Sequence, residues 1–105
     1  AQTTAVHVAE PIYAYIANLA QATREHAAVQ LGVSPRGAQA VCRMAKAYAF
    51  VNGRDYVVPE DVAAVFPDVC AHRLILSAKA RMMEEKAENI LSEILKSVDM
   101  PVLKA

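Results

Sequence analysis

A serine-proline pair at Ser34-Pro35 and an asparagine-glycine pair at Asn52-Gly53 bracket a run of small and apolar residues, and that bracket limits the folds open to this chain. Serine at an N-cap accepts a hydrogen bond from a first-turn amide, and proline at the first helical position gives up no hydrogen bond there. Asn-Gly offers the left-handed geometry in which helices end. Between the two pairs, Val41, Cys42, Ala45, Tyr48 and Ala49 form one apolar face, and Ala40, Met44, Ala47 and Val51 form the opposite one. A helix that is apolar almost all round is expected to be the central, most buried element of a bundle. Twenty-one alanines in 105 residues, against 6% aromatics, favour closely packed helices over a sheet. With 55% hydrophobic residues the chain can build one core without a metal or disulfides to support it. The expected fold class is all-α, a small bundle of about four main helices.

The remaining helices follow from periodicity. Pro11 followed by Ile12, Ile16, Leu19 and Thr23 predicts a first helix over about residues 9–26. Residues 1–8 carry no helical period and read as a connection from something upstream. After the helix that begins at Ser34, Pro59-Glu60-Asp61 opens a third one, with proline and two acids where a first turn favours them. It turns Val62, Val65, Phe66, Val69 and Cys70 inward, and Pro67 either kinks it at Phe66 or divides it into two short helices. An apolar run at 74–76 and a charged stretch to Lys86 precede a fourth helix striped by Ala87, Ile90, Leu91, Ile94, Leu95 and Val98. Residues 29–31 and 56–58 flank the central helix and are expected to pair as a two-stranded bridge. The domain is therefore placed at 9–98, with a C-terminal tail over 99–105.

Charge and motifs narrow the chemistry. Eleven basic residues balance eleven acidic ones, so no overall field draws in nucleic acid or an anionic membrane. The longest uncharged run, Pro11 to Thr23, is thirteen residues and too short to span a bilayer. Cys42 and Cys70 sit at apolar helical positions and read as buried thiols of a reducing cytoplasm rather than a disulfide. The three histidines and two cysteines have no metal-binding spacing. Gly32 to Gly37 matches the first six positions of a phosphate-binding P-loop, but Ala38 and Gln39 replace its lysine and its serine or threonine. Glu84, Glu85, Glu88 and Glu93 accompany Lys86 and Lys96 on a solvated helix face.

Arg36 is the residue with the most chemical interest. In the first turn of its helix the dipole disfavours a cation by roughly 0.3 to 1 kcal/mol, and a docked phosphate would turn that cost into a binding site. The alternative is a solvated surface arginine. Arg24 and His26 at the end of the first helix, and His72 and Arg73 near the end of the third, instead complement their dipoles, leaving open whether they also make interface or nucleotide contacts.

Thr23-Arg24-Glu25-His26, Val29-Gln30-Leu31-Gly32-Val33-Ser34-Pro35-Arg36-Gly37, Asn52-Gly53-Arg54-Asp55-Tyr56-Val57, Pro59-Glu60-Asp61-Val62 and Ala71-His72-Arg73-Leu74 closely resemble the C-terminal part of the MoxR family of AAA+ ATPases. The likeness runs over roughly residues 6–102. It implies an AAA+ lid, the helical subdomain behind an α/β nucleotide-binding core, with Arg36 as its sensor 2 arginine and Ser34 and Pro35 shaping the turn that presents it. Arg36 would then reach the γ-phosphate of ATP held with Mg by an upstream core in the same parent chain, and this stretch alone would bind ATP feebly and catalyse nothing. The resemblance further implies a cytoplasmic, bacterial, chaperone-like ATPase that forms rings, as hexamers, and acts beside von Willebrand factor A domain proteins on partner complexes. Val58 departs from the serine or threonine usual before Pro-Glu-Asp and forgoes a side-chain cap, and Cys42 and Cys70 stand where leucine is expected. The rival reading is a freestanding helical binding module, histone-fold-like or DNA-binding, which the zero net charge disfavours.

Overall fold

The computed structural model describes residues 6–102; residues 1–5 of the expected connection and 103–105 of the expected tail lie outside them. Helices α1 (Glu10–Glu25), α2 (Pro35–Val51), α3 (Pro59–Cys70), α4 (Ala78–Met82) and α5 (Ala87–Ser97) are joined by strands β1 (Val29–Leu31) and β2 (Ile75–Leu76). The fold is the expected small, mostly helical bundle, with α4 as an additional short helix. Ser77, whose hydroxyl accepts from Ala80 N at 3.1 Å, caps α4 inside the stretch read only as charged.

Each main helix begins and ends where local chemistry dictates. Pro11 lies in the first turn of α1 and Pro35 in that of α2, while Gly53 takes a φ of 80° just beyond the α2 C-cap at Asn52. The expected choice at Pro67 resolves as one continuous helix. Proline removes one amide donor but leaves its own carbonyl free, and that carbonyl accepts from Ala71 N at 2.9 Å. Val65, Phe66 and Cys70 are buried on either side of it, which holds the helix together through the lost bond.

The core lies between α1, α2, α3 and α5, with α2 packed on α3 and α1, and α5 on α3 and α1. Ile12, Leu19, Ala49, Val62, Cys70 and Leu91 have no exposed surface. Helix α2 packs mainly on α3 and secondarily on α1. Its alanines let the neighbours approach closely, but among the described residues no element covers its far side: Met44 is 48% exposed, Tyr48 43% and Val51 82%. The expectation of a helix buried all round is thus corrected. One face of α2 is core and the other is surface, because two neighbouring helices can cover only part of a helical cylinder. Cys42 accordingly is half-buried, Cys70 is fully buried, and both are free thiols.

The strand pairing also differs from expectation. β1 pairs with β2, antiparallel, with Val29 opposite Leu76 and Leu31 opposite Ile75, and Ser77 N donates to Ala28 O at 2.8 Å. The segment at 55–57 is engaged elsewhere: His7 N donates to Asp55 O at 2.8 Å, and Val57 N donates to His7 O at 2.9 Å, in a parallel bridge. Val6 beside that bridge is buried in the core. An amide N–H donates once, and the incoming chain takes that of Val57 together with the Asp55 carbonyl.

Candidate functional site

The start of α2 is built from the end of α1. Thr23 is fully buried; its hydroxyl donates to Ala20 O at 2.6 Å and accepts from Val33 N at 2.9 Å. This pair fixes the loop one residue before the Ser34 cap. Gly32 makes the approach possible, since a Cβ there would lie 2.8 Å from the N, Cα and Cγ of Arg24. Ser34 then accepts from Gly37 N at 3.1 Å through its hydroxyl and from Ala38 N at 2.9 Å through its carbonyl. Gly37 is buried, and a Cβ on it would meet Val33 Cγ1 at 2.8 Å and Arg73 Cδ at 3.4 Å. Both glycines of the partial P-loop pattern are therefore required for packing.

Arg36 emerges from this fixed turn into solvent. Among the described residues it makes no side-chain hydrogen bond or ion pair, and the first turn of α2 has no acid. Ser34 and Pro35 are exposed with it and shape the turn. Along the side of α2 that faces α3 runs an open groove of about 620 Å³, lined by Ala40, Arg43, Met44, Asp68, Val69, His72 and Arg73. A second, more apolar groove of about 370 Å³ lies between α1 and α2 around Tyr13, Ile16 and Cys42. Cations thus gather around the first three turns of α2, and the fixed partial charge of the helix N-terminus has the same sign.

The other helix-end residues separate in role. Arg24 donates to Gln21 Oε1 at 3.1 Å within its own helix. His26 is the C-cap of α1; its Nδ1 accepts from Ala28 N at 3.0 Å and its Nε2 lies 3.5 Å from Glu93 Oε2 on α5. These contacts tie α1 to β1 and α5 and lie away from the lining of either groove. His72 and Arg73 lie just past α3 on the groove beside α2.

Sequence reasoning missed one cluster. Arg54 donates through both terminal nitrogens to Asp61, at 2.6 Å to each carboxylate oxygen, and lies over the Tyr56 ring at 5.8 Å. Asp61, 1% exposed, also accepts from Val58 N at 2.8 Å. Valine carries no acceptor, so only the Asp61 half of a reciprocal cap forms, and the absence of a side-chain cap at Val58 follows. The Asp61 hydrogen bonds raise the Arg54 guanidinium above its ordinary pKa. The signal was present as an acid at the third helical position seven residues after an arginine, but only the fold shows that the acid is buried. Among the described residues no His, Cys, Asp and Glu cluster could hold a metal, and no helix is long and apolar enough to cross a membrane.

A family model for the AAA lid domain matches residues 21–94. The chain is 41% identical over 100 residues to the uncharacterized protein YeaC of Bacillus subtilis, covering 95% of this chain and 31% of that protein. It is 40% identical over 77 residues to the chaperone MoxR1 of Mycobacterium tuberculosis, covering 73% of this chain and 20% of the relative. A solved structure of a proposed ATPase from Cytophaga hutchinsonii superposes with a TM-score of 0.89 at 34% identity, over 96% of this chain and 33% of that one. The chain spans a third or less of the length of each of these proteins.

Proposed function

The chain belongs to the AAA lid domain family as the lid subdomain of a MoxR-type AAA+ protein, and from that premise we propose that Arg36 is its sensor 2 arginine, reporting nucleotide state from the lid. One observation carries the reading: an exposed arginine with no partner among the described residues, on a turn fixed by Thr23 and Ser34, at a helix start without acids. Such a group fits an anionic phosphate. ATP with Mg, held by a core that this stretch does not include, would supply that phosphate. Arg36 would bind it, stabilise charge that develops on transfer, and draw α2 with it when the phosphate is present. Ser34 and Pro35 would form the helix start that presents Arg36 to the nucleotide.

The proposed setting is a cytoplasmic, chaperone-like ATPase assembled as a ring, a hexamer by family resemblance, with von Willebrand factor A domain proteins among its partners. Residues 1–8 would join the lid to the core upstream, and 99–105 would leave the bundle as a tail. By itself the lid would hydrolyse nothing.

In a full-length protein carrying this segment, Arg36→Ala is expected to lower ATP turnover on the order of 10²-fold. The melting temperature of the 105-residue chain should hardly move, since exposed substitutions stay within about 0.5 kcal/mol. Unchanged turnover would sink the sensor assignment.

A further inference from the structure

Gly37, the residue after Arg36, is covered by an arginine from another element. The Arg73 stem, from the turn after α3, comes within 3.4 Å of where a Gly37 Cβ would be. The guanidinium begins one bond beyond that Cδ atom, so it is held beside the first turns of α2, at the groove it lines with Arg43 and His72. Arg54 and Arg24 each have side-chain partners, whereas neither Arg36 nor Arg73 has one among the described residues. Asp68 is the one acid lining the groove, and it forms no ion pair with Arg43 or Arg73. Arg36 precedes Gly37 in the first turn of α2, so both arginines add positive charge at the positive end of one helix, where an anion is favoured.

We propose that Arg73 is a second phosphate-binding arginine of the site assigned above to Arg36, gripping a polyphosphate from the α3 side while Arg36 reaches it from α2. The inference rests on that reading of Arg36. It gives the phosphate a hold on both of the helices that pack most extensively on each other, so the two would respond to it as one body. It also accounts for the glycine after the arginine: a side chain at position 37 would displace Val33 and crowd the Arg73 stem.

The test is a titration of the 105-residue chain with sodium tripolyphosphate, read from the amide shifts of Gly37 and Ala38 by NMR. Arg73→Gln keeps Cβ, Cγ and Cδ over Gly37 and removes the guanidinium. It is expected to weaken the apparent affinity about fivefold or more, comparably to Arg36→Gln, with Arg73→Lys in between. Should Arg73→Gln not fold, Arg73→Met fills the same space and takes its place. If Arg36→Gln weakens binding and the Arg73 variant matches the wild type, Arg73 only covers Gly37, and the proposal fails while the Arg36 reading stands. If the wild type shows no shift, or Arg36→Gln leaves the titration unchanged, the two arginines form no polyphosphate site and the proposal fails, while the sensor reading of Arg36 is decided separately by the turnover of Arg36→Ala in the full-length protein.

Discussion

Asp61 shows how much a single residue can do once it is enclosed. Its carboxylate accepts from both Arg54 nitrogens and from the Val58 amide, so it closes the turn after α2 and starts α3 at the same time. Asp61→Asn keeps the shape, removes the charge and leaves the Arg54 fork without its carboxylate. Breaking a buried pair costs about 3 to 5 kcal/mol, and the 26% exposure of the Arg54 side chain brings the expected loss to about 2 to 3 kcal/mol. Urea unfolding measures it, and a loss below about 0.5 kcal/mol would mean that water replaces the pair at little cost. The sequence marked Asp61 as a first-turn acid and Arg54 as part of a link. Their partnership was not legible, because an acid that faces the dipole and an acid that faces a guanidinium look alike until burial is known.

Helices α1, α3 and α5 start without a side-chain cap, and in α3 the N-cap is Val58, whose shape threonine matches. Ser34 and Ser77 each accept from an amide three residues on, whereas Val58 has extended geometry, φ −108° and ψ 160°, and no acceptor. Val58→Thr supplies one with little change of shape. The expected gain is about 1 kcal/mol, read as a rise in melting temperature of about 4 to 8 °C for a domain of this size. No rise would show that Asp61 already satisfies the helix start. Helix starts, the Gly53 stop and the inward stripes of α1, α3 and α5 were legible because they depend on residues within a turn or two of each other. The partner of β1 was not. The segment 56–58 and the apolar run that becomes β2 both lie within reach, and the chain at His7 takes the Asp55 carbonyl and the Val57 amide while β2 takes β1.

For the molecule as a whole, alkaline pH tests how tightly the core is closed. Burial pushes the Cys70 thiol up to about 12 from 9.0, against a smaller opposing pull from Arg73. Burial, with Glu60 adding to it, likewise raises the Tyr15 phenol, whose hydroxyl finds no hydrogen-bond partner among the described residues. A folded pKa above the unfolded value means that the native state prefers the protonated form. Its contribution is complete below pH 9 and is lost as pH rises toward about 12. Stability by urea unfolding is therefore expected to fall from pH 9 upward, at up to about 1.4 kcal/mol per pH unit for each such group. Cys70→Ala lowers stability throughout and flattens the first part of that slope; a slope unchanged in this variant would place its origin elsewhere.

The sequence by itself determined a helical bundle, most of its helix boundaries, its relationship to MoxR-type lids and the placement of Arg36 in the first turn of α2. Those properties rest on capping, on helical period and on motif order, all of which act through near neighbours in the chain. Only the tertiary structure decided that the outer face of α2 stays open, that β2 rather than 56–58 pairs with β1, that Asp61 clasps Arg54, and that Gly32 and Gly37 are required by Arg24, Val33 and Arg73. Each of these depends on which distant groups arrive first at a shared surface or hydrogen bond. That competition has one outcome in space and no signature in local pattern.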